Sequence, residues 1–255
     1  MAETPVIETN TPGWFDLSTS DPEAARAFYA NLFGWTADLV PDPRAGGYGF
    51  FNLEGKMVGG VGPLQSQRKP TAWNAYIIVA DAAATVSKAK AAGGTVLVEP
   101  IDVMGRGTMA FLEDPAGAAI GIWQPALHQG VQVKDVPGSV TWIELHTRDL
   151  EAVRAFYASV FGWGHRDTEM GGMVYTEFTL GGASLAGATP LRPGEDVYPS
   201  YWLIYFGVAD VDAGTARAEE HGGPALVPPT DFSGGRFSVI RDPQGGIIGL
   251  LRLNP

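Results

Sequence analysis

The chain has 255 residues, 45% of them hydrophobic, and no cysteine, which suits two domains of ordinary size and removes disulfides, thiolate metal sites and Cys nucleophiles together. Its net charge of −11, with no Lys/Arg cluster, argues against nucleic acid and anionic membrane as partners. No apolar run approaches the ~18 residues that span a bilayer, the start MAETPVIETNTPG lacks the features of a secretory signal, and the cysteine-free composition fits a cytoplasmic location.

Residues 1–12 read as an extended arm. Trp14–Thr19 alternates as a strand, with Trp14, Asp16 and Ser18 on one face and Phe15, Leu17 and Thr19 on the other. Asp21 suits an N-cap and Pro22 the first helical position, so a helix runs to about Phe33 and stops at Gly34. A Pro/Gly-rich loop, 41–47, leads to two strands, 48–53 and 56–61. The plan then restarts: strand 73–79, N-cap Asp81, helix 82–92, stop at Gly93-Gly94, and strands near 95–99, 108–112 and 119–123, the last two joined through the turn Asp114-Pro115-Ala116-Gly117. Residues 126–139 lack a periodic pattern and read as a linker.

The second half repeats the first at an offset of 128. WFDLSTSDPEAARAFYANLFGW at 14–35 and WIELHTRDLEAVRAFYASVFGW at 142–163 are identical at 14 of 22 positions, and Asp242-Pro243-Gln244-Gly245 repeats the turn at 114–117. The capping aspartates Asp21, Asp81, Asp149 and Asp210 lie 60, 68 and 61 residues apart, so the chain holds four units of one strand, one helix and about three strands. Such a unit cannot bury its own sheet face, and units pair into one curved sheet. The expected architecture is α+β, with domains at 13–125 (units 13–65 and 72–124) and 140–255 (units 140–190 and 199–253).

Four βαβββ units, the Asp…Phe-Tyr…Phe-Gly-Trp helix and the Asp-Pro-x-Gly turn resemble the vicinal oxygen chelate superfamily of glyoxalases, extradiol dioxygenases and bleomycin-binding proteins. The resemblance is strongest to two-domain actinobacterial glyoxalase-like proteins, some labelled hydroxylases. It implies two cupped eight-stranded mixed sheets, each around a small-molecule pocket where catalytic members hold a divalent metal. The positions it assigns to metal ligands are Trp14, Ala75 and Gly121, then Trp142, Ile204 and Gly249, with the remaining ligand near Gly59/Gly60 and near Gly187. None of these side chains suits a transition metal, so no metal and no other cofactor is expected.

The remaining chemistry lies on the first strands. Glu144 and His146 share a face about 7 Å apart, which suits acid/base work, and Asp16 and Ser18 are their counterparts in the first half. The competing reading places them at a solvated mouth or on the backbone. Trp14, Trp73, Trp142 and Trp202 begin strands, where they either line a pocket for a flat ligand or fill the sheet–helix core. Arg106 and Arg236, in glycine-rich loops before strands, could anchor an anion or simply face solvent. His128, His165 and His221 read as structural or solvated.

The expected function is metal-independent binding of a hydrophobic, aromatic or polyketide-like small molecule. It would be coupled either to an acid/base step in secondary metabolism (cyclisation, isomerisation or a hydroxylase-like step) or to sequestration of a drug. A glyoxalase-type lyase is a further alternative, and the expected oligomeric state is a monomer or homodimer.

Overall fold

A computed structural model describes residues 7–66, 70–170, 172–191 and 199–254. Residues 1–6 of the expected arm and 192–198, between the two expected units of the second half, lie outside the described residues. The first half contains β1 (Pro12–Thr19), α1 (Pro22–Phe33), β2 (Thr36–Leu39), β3 (Gly49–Leu53), β4 (Lys56–Pro63), β5 (Ala72–Ile78), α2 (Ala82–Ala91), β6 (Thr95–Asp102), β7 (Gly107–Glu113) and β8 (Ala119–Pro125). The second contains β9 (Val140–Thr147), α3 (Leu150–Phe161), β10 (Gly164–Met170), β11 (Met173–Leu180), β12 (Ala183–Pro190), β13 (Tyr201–Gly207), α4 (Val211–Glu220), β14 (Ala225–Phe232), β15 (Gly235–Arg241) and β16 (Ile247–Leu253).

Each half forms one eight-stranded mixed sheet, ordered β2-β3-β4-β1-β5-β8-β7-β6 and β10-β11-β12-β9-β13-β16-β15-β14. The two units of a half meet where their first strands pair antiparallel, β1 with β5 and β9 with β13. Each of these strands also pairs in parallel with the last strand of its own unit. The four helices begin as expected, on side chains of Asp21, Asp81, Asp149 and Asp210 that accept from first-turn amides. The first helix of each half ends on a glycine at positive φ, Gly34 or Gly162. Sequence periodicity did not reveal β2, β10 or β14, which are edge strands with weak burial contrast.

The two sheets turn their helix-bearing faces toward each other. Helix α1 packs on α4, and α2 on α3. One continuous apolar core therefore crosses the domain boundary, joining Trp35, Phe51 and Trp73 of the first half to Phe206 of the second. At its centre lie two equivalent hydrogen-bonded chains. Trp73 Nε1 donates to Tyr29 Oη (2.8 Å), which donates to Asp242 Oδ2 of the other half (2.8 Å). Trp202 Nε1 donates to Tyr157 Oη (3.0 Å), which donates to Asp114 Oδ2 (3.1 Å). The Oδ1 atoms of Asp114 and Asp242 accept backbone amides of their own turns, from Ala116 and Ala118 and from Gln244 and Gly246. The turns at 114–117 and 242–245 thus do more than reverse the chain: each presents a buried carboxylate to the opposite domain.

This arrangement corrects one expectation. Trp73 and Trp202 do not line either concave face, because both belong to the domain-joining core at 7% and 8% exposure. The linker is also packed: Val131, Val133 and Ser139 are buried, and Trp35 Nε1 donates to the Gly138 carbonyl (2.7 Å).

Replacing Tyr29 or Tyr157 by Phe removes the side-chain donor to a buried carboxylate and strands an indole N–H. Each substitution should cost about 1–3 kcal/mol, seen as a lower urea midpoint at unchanged m value.

Candidate functional site

The helix-free face of each sheet carries the same polar frame. In the first cup, β1 presents Trp14, Asp16 and Ser18 and β5 presents Asn74 and Tyr76, because Asp16 pairs with Asn74 across the antiparallel ladder. Tyr48, just before β3, reaches over from the side. Asp16 Oδ2 accepts from Tyr48 Oη (3.1 Å) and Tyr76 Oη (3.1 Å), and Oδ1 accepts from Asn74 Nδ2 (2.9 Å). Trp14 Nε1 donates to Tyr48 Oη (3.3 Å), and Asn74 also reaches Ser18 Oγ (3.2 Å). Burial pushes the Asp16 carboxyl above its usual range, although its three donors pull the other way. Asp16 is 8% exposed and both of its oxygens accept hydrogen bonds, so this carboxylate is a structural hub.

The second cup repeats the frame with Trp142, Glu144, Tyr175 and Tyr205. Trp142 Nε1 donates to Tyr175 Oη (3.0 Å), and Tyr205 Oη donates to Glu144 Oε1 (3.3 Å). Burial and the nearby Glu144 charge push the Tyr175 phenol well up, so it stays protonated. Beyond this the cups differ. His146 occupies the place of Ser18, with Nε2 3.0 Å from Glu144 Oε1. Its ring stacks on Tyr201 (4.7 Å between centroids, 5° between planes). Neither imidazole nitrogen makes a well-directed hydrogen bond, although the side chain is only 3% exposed. Trp142, Glu144, Tyr175, Tyr201 and Phe237 are each partly exposed, whereas in the first cup Trp14, Asp16 and Tyr76 are buried.

The four tyrosines escaped the sequence reading, and they explain the glycines. A Cβ on Gly60 would lie within 2.0 Å of Tyr48 Oη, and one on Gly187 within 1.9 Å of Tyr175 Oη. On Gly121 and Gly249 it would strike the rings of Tyr76 and Tyr205 at 2.2 and 2.0 Å. Tyrosine rings therefore fill space that side chains at these positions would occupy. Ala75 and Ile204 also prove to be on the helix face, and Tyr76 and Tyr205 stand in the cup at that level. The donor set at the expected metal position is then an indole, two phenols and two glycines beside a single carboxylate, joined in the second cup by the His146 imidazole. No group of three or more His, Cys, Asp or Glu side chains that could hold a metal occurs among the described residues. These residues do not fit a divalent transition metal.

The arginines separate. Arg236 is held by Asp212 (2.8 and 2.9 Å) and Asp231 (2.8 Å), so its guanidinium is engaged, and it is not available as an anion anchor. Arg106 lies at the first cup, 5.7 Å over the ring of Phe50. His128 is not solvated linker: it is 7% exposed and sits edge-on to Trp14 at 4.2 Å.

Comparison with known proteins accords with this architecture. The model of the Glyoxalase/Bleomycin resistance protein/Dioxygenase superfamily matches residues 11–122 and again 129–249. The chain belongs to that family. It is 38% identical over 256 residues to the anthracycline biosynthesis protein DnrV of Streptomyces peucetius, covering 95% of this chain and 93% of that one. It is 39% identical over 252 residues to a Mycobacterium tuberculosis protein described as "Putative glyoxylase CFP32", covering 96% and 95%. Among solved structures, the Mn(II)-bound glyoxalase of Novosphingobium aromaticivorans shares the fold at a TM-score of 0.68 with 18% identity, over 98% of this chain and 83% of that one. Among the described residues no helix is long and apolar enough to cross a membrane.

The raised carboxyl of Asp16 predicts a pH signature. A carboxyl whose folded pKa exceeds its unfolded value near 3.8 favours folding most below that value, and the benefit is lost as pH rises through the folded pKa. The stability of an Asp16→Asn variant relative to wild type should therefore improve steadily from acid toward neutral pH, in paired urea titrations. A flat difference would mean that the carboxyl is not perturbed.

Proposed function

We propose that the second cup binds a planar aromatic, polyketide-like molecule and that Glu144 and His146 carry out proton transfer on it without a metal. The observation that carries this reading is the pairing of His146 Nε2 with Glu144 Oε1 at 3.0 Å on the floor of the more open cup. Tyr205 and Tyr175 orient the carboxylate, and Tyr201 fixes the imidazole plane by stacking. A carboxylate beside an imidazole stabilises the imidazolium formed when the ring takes a proton, and the ring can return that proton at another atom of the ligand. Such a transfer serves a cyclisation or an isomerisation. Trp142, Leu203, Tyr205 and Phe237 supply apolar wall for a flat ring system.

The relatives in anthracycline biosynthesis support a polycyclic aromatic ligand. The glyoxylase-like relative supports a lyase reading instead. That reaction calls for Lewis-acid stabilisation of an enediolate, for which the tyrosine- and glycine-filled cups provide no matching donor set. Metal analysis of the pure protein showing close to one Fe, Zn, Ni or Mn per domain would reverse this judgement.

The discriminating experiment titrates anthracycline-type aglycones and their precursors, following tryptophan fluorescence for binding and product by mass spectrometry. In His146→Gln, turnover should fall at least a hundredfold while the dissociation constant stays within about threefold. Tight binding by wild type with no conversion of any ligand would leave sequestration as the function. Equal turnover by wild type and variant would remove His146 from the chemistry.

A further inference from the structure

The likeness of the two halves extends upstream of the duplicated strands and then breaks at one place. Trp35 Nε1 donates to the Gly138 carbonyl ahead of β9, and Trp163 Nε1 to the Asn10 carbonyl ahead of β1, both at 2.7 Å. Asn10 and Gly138 both have positive φ, 66° and 84°. Thr11 Oγ1 donates to the Glu8 carbonyl, as Ser139 Oγ does to that of Val136. The chain entering each half therefore runs the same course at the 128-residue offset. Linker residues 131–133, further upstream, fill the trough where β1 and β4 begin. Val131 N donates to the Gly13 carbonyl (2.9 Å), Gln132 N to the Met57 carbonyl (2.7 Å), and Met57 N to Gln132 Oε1 (2.8 Å). Val131 and Val133 are buried, as are Trp14 and Val58 of the adjoining strands.

The corresponding place in the second half is a cleft of about 450 Å³. Its wall includes Thr141 and Ser184, which lie three residues before the paired Glu144 and Gly187, as Gly13 and Met57 lie three before the paired Asp16 and Gly60. Phe15, Val140, Ile143 and Leu185 add apolar surface. Trp142 and Leu185 are partly exposed, whereas their counterparts Trp14 and Val58 are buried. None of Glu144, His146, Tyr175 or Tyr205 is among the described residues of the wall, so the cleft is separate from the acid/base pair. The chain does not repeat the linker's filling sequence here. At the same offset Val131-Gln132-Val133 corresponds to Glu3-Thr4-Pro5, which puts a carboxylate in place of one buried valine and a residue without an N–H in place of the other.

We propose that this cleft is a docking groove for an extended peptide segment of a partner protein, one with aliphatic side chains at alternate positions and a carboxamide between them. The linker shows how such a segment sits. Its aliphatic side chains would pack on Val140, Ile143 and Leu185, and its backbone would pair with Thr141 and Ser184 as Val131 and Gln132 pair with Gly13 and Met57.

The test uses the full-length chain and a fluorescein-labelled hexapeptide of the linker sequence at 129–134, Gln-Gly-Val-Gln-Val-Lys, followed by fluorescence polarisation. A control peptide carries Asp in place of both valines. The linker peptide should bind at least about tenfold more tightly than the control, because the valines bury apolar surface that aspartates cannot. Ala183→Arg, at an exposed position on the wall, should weaken binding at least about tenfold and leave the melting temperature within a few degrees of wild type. Leu185→Glu should weaken it likewise. The amide resonances of Thr141 and Ser184 should move on binding, and those of Gly13 and Met57 should not. His146→Gln should leave the affinity unchanged, which separates the groove from the proton-transfer reading. Equal affinity for the two peptides, no binding at millimolar concentration, or binding that survives both wall substitutions would each overturn the proposal. Shifts at Gly13 and Met57 in place of Thr141 and Ser184 would mean that the peptide displaces the linker, and would overturn it too. Binding seen only after deletion of residues 2–6 would assign the groove to the chain's own N-terminal segment and overturn it equally.

Discussion

Two buried carboxylates hold this molecule together. Asp114 and Asp242 each take amide hydrogen bonds from their own turn and a phenol from the opposite domain. Burial pushes both carboxyls up, which measures how poorly their surroundings tolerate charge without those donors. Because the tyrosines project from α1 and α3, meeting this demand brings the helix-bearing faces of the two sheets together. The concave faces are left pointing outward as separate cups. The positions of the two concave faces, and of the candidate site in the second, follow from that one constraint.

Within that scaffold the duplication has been used unequally. The Trp–Tyr–carboxylate–Tyr frame is present in both cups, with glycines making room for the rings. The neighbouring positions differ: Asn74 donates to both Asp16 and Ser18, whereas His146, Leu203 and Tyr201 leave Glu144 beside an imidazole and an apolar wall. A buried carboxylate whose two oxygens both accept from its own cup is held in place by those partners. One set beside an imidazole that lacks a directed hydrogen bond is the pairing on which the proposed proton transfer rests.

The fold was legible in the sequence because its signals are local. Capping aspartates, the glycine stops after α1 and α3, and the repeat at an offset of 128 each act within a few residues and recur. The site was only half legible, and the failures share a cause. Strand alternation has a period of two, so Trp14, seven residues before its cap, and Trp73, eight before, fall on opposite faces even though each opens a strand. The same one-residue slip put Ala75 and Ile204 where Tyr76 and Tyr205 stand. Tyr48, just before β3, and Tyr175, on β11, reach their carboxylates from elsewhere in the sheet, and His128 reaches Trp14 from the linker. Tyr29 and Asp242 are 213 residues apart, a pairing that no pattern along the chain reports.

The reciprocal latch has a consequence for how such a chain can change. Each half supplies a tyrosine to the other and receives one in return, so an alteration in either copy is felt by both. Drift at these positions is thereby penalised twice, and the two copies stay alike there. A duplicated protein wired this way keeps one shared scaffold, while the residues of its two concave faces take no part in the latch and have diverged, as Ser18 and His146 have.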